Sequence, residues 1–174
     1  MKTEVKFLRS NATFKKAYAS DSGFDLTACD YEYKGNGLWH IMLGVAVKPP
    51  DGYYFEVVPR SSFGKTPFIM PNNIGIIDQS YRGEWLFPVR HLSIGYWDKI
   101  ACIPVHYIYC NFEVTPDYNI PGYIENIERD IKKHLADNRI AQAILRKYEN
   151  CEIEIVNELP ETERGANGFG STGK

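Results

Sequence analysis

The chain has few of the features that would assign it quickly to a class. Only four cysteines occur in 174 residues, at positions 29, 102, 110 and 151, with no CxxC pair. No two histidines stand at ligand spacing either, so a structural zinc site is not expected. A disulfide framework is equally unsupported, and free thiols are the expectation. Charge of neither sign dominates: 20 Lys and Arg face 22 Asp and Glu, for a net charge of −2. That balance gives no electrostatic case for nucleic-acid binding. No apolar run approaches membrane length, and no basic-then-apolar leader is read at the start. A soluble protein acting in a reducing cytoplasm is the resulting expectation.

What is present leans towards strands and turns. The sequence holds 12 Tyr, 9 Phe and 10 Pro, with 44% apolar and 24% charged residues, an ordinary globular composition for one domain. Residues 2–8 alternate as a first strand. Ala17 to Leu26 reads as a polar bend leading into a short alternating stretch over Phe24–Ala28, and Gly23 there suggests close backbone approach. Leu38–Val47 and Tyr53–Val58 read as strands separated by the turn Pro49-Pro-Asp-Gly52. Pro59-Arg-Ser-Ser-Phe-Gly64 then places small hydroxyls after an arginine at a strand end, which suits an anion. A plain solvated loop is the competing reading.

The stretch Asn72 to Glu84 reads as a β-hairpin, with Asp78 ending the apolar run Ile76-Ile77 and a new strand starting near Trp85. A carboxylate fixed at such a corner can orient and deprotonate a water, or simply cap its own turn. Trp85–Val89, Ile100–Tyr109, Arg139–Leu145 and Glu152–Val156 also read as strands. Helical spacing occurs once, where Ile124, Ile127, Ile131 and Leu135 recur every three or four residues, predicting an amphipathic helix over about 123–136. The final twelve residues hold four glycines and one aromatic. Such a tail either frays or orders as a strap over a ligand, with Arg164 suited to phosphate and Phe169 to a flat base.

Five segments taken together resemble the motifs of the homotrimeric dUTPase family, in order. They are Ala19-Ser-Asp-Ser-Gly-Phe-Asp-Leu26, Pro59-Arg-Ser-Ser62, Gly75-Ile-Ile-Asp-Gln-Ser-Tyr-Arg-Gly83, Arg139-Ile-Ala-Gln142 and Arg164-Gly-Ala-Asn-Gly-Phe-Gly-Ser-Thr-Gly173. The resemblance implies a mainly β, jelly-roll-like (β-clip) subunit. It implies one domain over 1–162, with a flexible arm over 163–174 that closes the active site. It further implies hydrolysis of dUTP to dUMP and pyrophosphate, Mg²⁺ on the triphosphate, and a homotrimer with sites between subunits.

Carried over by residue, Asp78 is the water-activating carboxylate, with Arg60 and Gln142 beside the phosphates. Ser61 and Ser62 join those phosphate contacts, and Asp25 holds metal-bound waters. Asn72 and the backbone of Gly75 read the uracil edge, while Tyr81 packs against deoxyribose. Arg164, Phe169, Gly170, Ser171 and Thr172 form the closing arm.

Two departures stand out. Asp137 and Asn138 occupy a turn where the family often has Gly and an acid, although both residues tolerate turn conformations. Between Gly83 and Arg139 lie 55 residues, where two strands and a turn need only roughly 15–20. An insertion within about 90–137, carrying the helix, is therefore expected, as in some bacteriophage members of the family. It is read either as a structural embellishment or as a docking surface for a regulatory protein. Two alternatives are carried: a dCTP deaminase of the same fold, and a dUTP-gated binding protein acting through the insertion. The strand Trp85-Leu-Phe-Pro-Val89 carries no Glu for a deaminase.

Overall fold

The computed structural model describes residues 1–92 and 122–166. Ten strands and one α-helix are found there. A first four-stranded antiparallel sheet has the order β2-β10-β6-β8, from Gly23–Thr27, Arg139–Lys147, Tyr53–Pro59 and Gly75–Ile77. A second has the order β3-β4-β9-β7, from Asp30–Tyr33, Leu38–Met42, Leu86–His91 and Phe68–Ile69. β1 (Glu4–Phe7) pairs separately with β5 (Val45–Lys48). The period-2 alternation of apolar residues puts Leu26, Phe55, Val57, Ala141 and Ala143 of the first sheet into one core with Trp39, Ile41, Phe87 and Val89 of the second. Phe55 against Trp85, with ring centroids 5.4 Å apart, links the two sets. The expected mainly β architecture is thus observed.

Three sequence expectations are corrected. The single strand over Leu38–Val47 is broken at Gly44, whose φ of 68° and close neighbours (a Cβ would meet Ala12 Cβ at 2.7 Å) demand glycine. Trp85 pins that corner, its carbonyl accepting from Leu43 N at 3.0 Å and its N–H donating to Val45 O at 2.9 Å. The hairpin over Asn72–Glu84 is not a hairpin. β8 pairs with β6 and β9 pairs with β4 and β7, so the chain crosses between sheets. The link from Asp78 to Trp85 is too long for the tight turns that join paired neighbours. Glu152–Val156 forms no strand among the described residues, because its alternation meets no partner and Ile155 is 95% exposed. The expected strand Ile100–Tyr109 lies outside the described residues.

The helix α1 spans Tyr123–His134, as its apolar spacing predicts. Its stripe is seated in the main core, with Ile127, Ile131 and Leu135 at 2%, 1% and 0% exposure. His91 Nε2 meets Asp130 at 3.0 Å, tying α1 to β9. Leu135 N donates to Ile131 O at 2.8 Å to close the helix. Asp137 then turns the chain with φ 59°, the conformation its residue type tolerates. Ala28 N donating to Asn138 O at 2.9 Å fastens the turn to the end of β2.

A helix so placed is part of the folding unit rather than a detachable ornament. Ile131→Ala should lower unfolding free energy by about 2–5 kcal/mol. Lys132→Ala, on the exposed face, should stay within about 0.5 kcal/mol. Urea unfolding of both variants checks this; equal midpoints would show that the helix does not contribute to the core.

Candidate active site

The charged end of the first sheet is built by register. Asp25 pairs with Gln142, and Gln142 with Val58, so their side chains share one face of the sheet. A β-bulge between Arg139 and Ala141 shifts the alternation by one residue. Without it Arg139 would project with Ala141 and Ala143 into the core; with it Arg139 joins Gln142. On the other side of β10 the register runs on unbroken past Ala141 opposite Pro59, and Ile140 O accepts from Arg60 N at 2.9 Å.

The result is a carboxylate at 2% exposure surrounded by donors. Asp25 Oδ2 accepts from Arg139 Nη1 at 2.9 Å and lies 3.2 Å from Arg60 Nη1. Its Oδ1 accepts from Gln142 Nε2 at 3.2 Å. A carboxylate this deep needs such partners, because an unpaired buried charge is strongly unfavourable. Gly23 permits the approach: a Cβ there would stand 3.1 Å from Gln142 Cβ. Ser61 and Ser62 follow in a helical turn, Ser61–Lys65, and both are exposed. Arg60, Gln142 and Asp25 are therefore assembled within one chain, with Ser61 and Ser62 next along it, a placement that the sequence alone leaves open. Arg139 completes the set although its sequence gives no individual sign of this role, since nothing in the local sequence announces a bulge.

Asp78 is found elsewhere, on the wall of a cavity of about 520 Å³ with Tyr54, Ile76, Gln79, Ser80 and Tyr148. Its carboxylate has no hydrogen bond or ion pair among the described residues. The surrounding wall is braced instead: Tyr148 Oη donates to Gln79 Oε1 at 2.6 Å, and Gln79 Nε2 donates to Asp51 at 2.8 Å. Tyr54 Oη donates to Glu56 at 3.0 Å, which holds the Tyr54 phenol above its ordinary pKa and therefore neutral. Arg146, 2.8 Å from Glu56, holds that carboxylate below the usual range. Tyr54, Gln79 and Tyr148 were not among the expected residues, since aromatic residues along strands give no signal of which face lines a cavity.

Asn72 is exposed and donates to Ile74 O at 3.3 Å, beside Gly75 at the start of β8. Tyr81 folds back over Gly83 and donates to Glu84 O at 3.1 Å. Any Cβ at Gly83 would collide with the Tyr81 hydroxyl, so glycine there sets the ring's position. Arg164 lies in the described tail. Phe169, Gly170, Ser171 and Thr172, and most of the expected insertion, lie outside the described residues.

The two halves of the site are far apart in one chain. Ile77 pairs with Phe55 at one end of β6, and Arg60 follows Pro59 at the other. From Tyr54 to Arg60 the strand runs roughly 20 Å, at about 3.3 Å per residue. The first sheet thus defines a β protein with one buried carboxylate held by two arginines at one end and a carboxylate, unpaired among the described residues, in a cavity at the other.

Comparison with known proteins gives this arrangement its family. The dUTPase family model matches residues 9–91 and 119–173. The chain is 31% identical over 179 residues to the deoxyuridine 5'-triphosphate nucleotidohydrolase of Leptospira interrogans, covering 99% of both chains. It is 30% identical over 177 residues to the enzyme of the same name from Finegoldia magna, again covering 99% of both. Among solved structures, a dUTPase of Staphylococcus bacteriophage 80alpha with dUpNHpp superposes with a TM-score of 0.64 at 20% identity, covering 99% of both. The dUTPase of phage phi11, whose structure visualizes a species-specific insert, gives 0.61 at 17% identity, over 93% of this chain and 100% of that one. The chain belongs to the dUTPase family, a family of dUTP diphosphatases. The family match is interrupted over 92–118 and resumes before α1.

Asp25 is the keystone of the charged end. Asp25→Ala should destabilise by about 1–3 kcal/mol, the lower side of the buried-pair range, because Arg60 and Arg139 are part-exposed and can rehydrate. Thermal unfolding compared with Asp25→Asn checks it; an unchanged midpoint in both variants would show that the ion pairs do not hold the strands' ends together.

Proposed function

We propose that the chain hydrolyses dUTP to dUMP and pyrophosphate, in sites that combine the Asp78 cavity of one copy with the Asp25 cluster of another. The observation that carries this reading is the pairing of a free carboxylate with a donor-rich phosphate end on a chain of this family. A homotrimer supplies the second copy. Asp78 orients a water and takes its proton as the water oxygen attacks the α-phosphorus. The bond from that phosphorus to the bridging oxygen breaks, and pyrophosphate leaves with the electron pair. Arg60, Gln142, Ser61 and Ser62 donate to the phosphate oxygens as negative charge shifts onto the leaving group.

The base is read by the backbone near Gly75, with Asn72 beside it, and the exposed Ile76 packs against it without room for a C5 methyl. Tyr81, fixed over Gly83, stands against the sugar and excludes a 2′-hydroxyl. Arg164 and the arm residues Phe169, Gly170, Ser171 and Thr172 close over the bound nucleotide. Among the described residues no group of three or more His, Cys, Asp or Glu gathers as a metal cage. Magnesium carried on a triphosphate needs only one or two carboxylates and keeps several waters. Asp25 fits that role through water, because its three donors leave one of about four lone-pair positions open. Held there, a magnesium ion would supply neutralisation of charge on the phosphate oxygens.

A deaminase reading is less well supported. β9 carries Leu86, Phe87, Pro88 and Val89, and the acid that precedes it, Glu84, is held by Arg9 at 2.8 Å. No helix among the described residues is long and apolar enough to cross a membrane.

A pyrophosphate-release assay across dUTP, dTTP, UTP and dCTP should show turnover of dUTP alone. Asp78→Asn should bind dUTP while losing roughly 10²–10⁴-fold in turnover. Ammonia released from dCTP, or undiminished turnover by Asp78→Asn, would contradict this function.

A further inference from the structure

Beside the Asp25 cluster, a second cavity of about 460 Å³ opens between the helical turn Ser61–Lys65 and the C-terminal end of α1. Sites for small ligands commonly fall between about 300 and 1,000 Å³. Its walls carry Arg60, Lys65, Lys133 and Arg139 together with His134, and no acidic residue. In a chain where acids outnumber Lys and Arg by 22 to 20, such a wall is a local concentration rather than a reflection of composition.

Two of the cations are already engaged, since Arg60 and Arg139 share the Asp25 carboxylate at 3.2 and 2.9 Å. Lys65 and Lys133 are not: neither has a carboxylate or hydrogen-bond partner among the described residues. The polar groups beside them make their described hydrogen bonds to backbone carbonyls rather than to either lysine. Thr66 Oγ1 donates to Phe63 O at 2.8 Å, and Asn138 Nδ2 donates to His134 O at 3.3 Å. The blander account of Lys133 is compensation of the helix dipole, which favours cations in the last turn. That turn holds Lys132, Lys133 and His134, and Lys132 already provides such a charge from outside the cavity.

We infer that this cavity holds an inorganic polyphosphate group, with Lys65 and Lys133 as direct contacts, so that α1 extends the phosphate-handling end of the site. The inference rests on the proposed function for the origin of that group, which is either the β,γ-phosphates of the bound triphosphate or the pyrophosphate just released. A dense, multiply charged anion needs more than two arginines half-neutralised by a buried carboxylate. Lys65 and Lys133, as compact point charges on opposite walls, provide the surplus. An inserted-looking helix thereby acquires a direct part in binding, in addition to its part in the core.

The test uses the full chain and pyrophosphate as the probe, with binding followed by calorimetry. The double variant Lys65→Ala/Lys133→Ala should weaken pyrophosphate binding about tenfold or more, while Lys133→Arg and Lys132→Ala bind as the unaltered chain does. All three positions are exposed lysines, and matching thermal midpoints show that the variants fold. A parallel rise in KM for dUTP assigns the cavity to the substrate's own phosphates. An unchanged KM with weakened product inhibition assigns it to the leaving group, and either outcome supports the inference. Pyrophosphate affinity unchanged in the double variant would overturn it. The binding measurement stands apart from catalysis: a chain that binds pyrophosphate through these lysines but fails to hydrolyse dUTP contradicts the proposed function alone.

Discussion

A carboxylate buried as deeply as Asp25 is tolerable only where donors come to it, and that requirement organises the charged end of this protein. β2 brings the acid, β10 brings Gln142 and, through its bulge, Arg139, and the end of β6 brings Arg60. Three strands distant in sequence are thereby locked in register at one edge of the domain. The same contacts leave arginine and amide donors converging on a surface that small hydroxyl residues border. Stability and the proposed anion recognition would draw on one set of atoms there.

β6 acts as a spacer as well as a central strand. Its first residues, with β8, shape the cavity around Asp78, while its last residue leads into the Arg60 turn. A strand is stiff, so the roughly 20 Å between those ends cannot be closed by a side-chain movement. A reaction that needs both halves at one phosphorus needs two copies of the chain. Assembly is therefore not an addition to the proposed chemistry but a consequence of where one strand puts its ends. α1 borders the charged end from the other side: Ile131 and Leu135 fix the helix in the core, and its last turn presents Lys133 to the second cavity.

Much of this was legible in the sequence, and the exceptions share a cause. Residues whose chemistry is local were found: the Arg60-Ser-Ser turn, Asp25 after Gly23, Asp78 at a corner, and a helix announced by Ile124, Ile127, Ile131 and Leu135. Features that depend on pairing were not. The turn signals around Asp78 resemble those of a hairpin, yet they cannot say that the following strand joins another sheet. Alternation in Glu152–Val156 promises a strand, but alternation alone supplies no neighbour. The bulge that turns Arg139 towards Asp25 leaves no mark on composition, and the depth at which α1 is seated depends on the cavity waiting for it. The tolerance of Asp137 for positive φ, read from residue type, is what the turn after α1 uses.

The most direct test of the account is complementation between two disabled chains. Asp78→Asn and Arg60→Ala should each turn over dUTP poorly alone, because each damages one half of every site. Unfolded together and refolded as mixed oligomers, they should regain a substantial fraction of the activity of the unaltered chain, since some sites then join an intact Asp78 to an intact Arg60. A mixture no more active than either variant, despite proven subunit exchange, would contradict a site shared between copies.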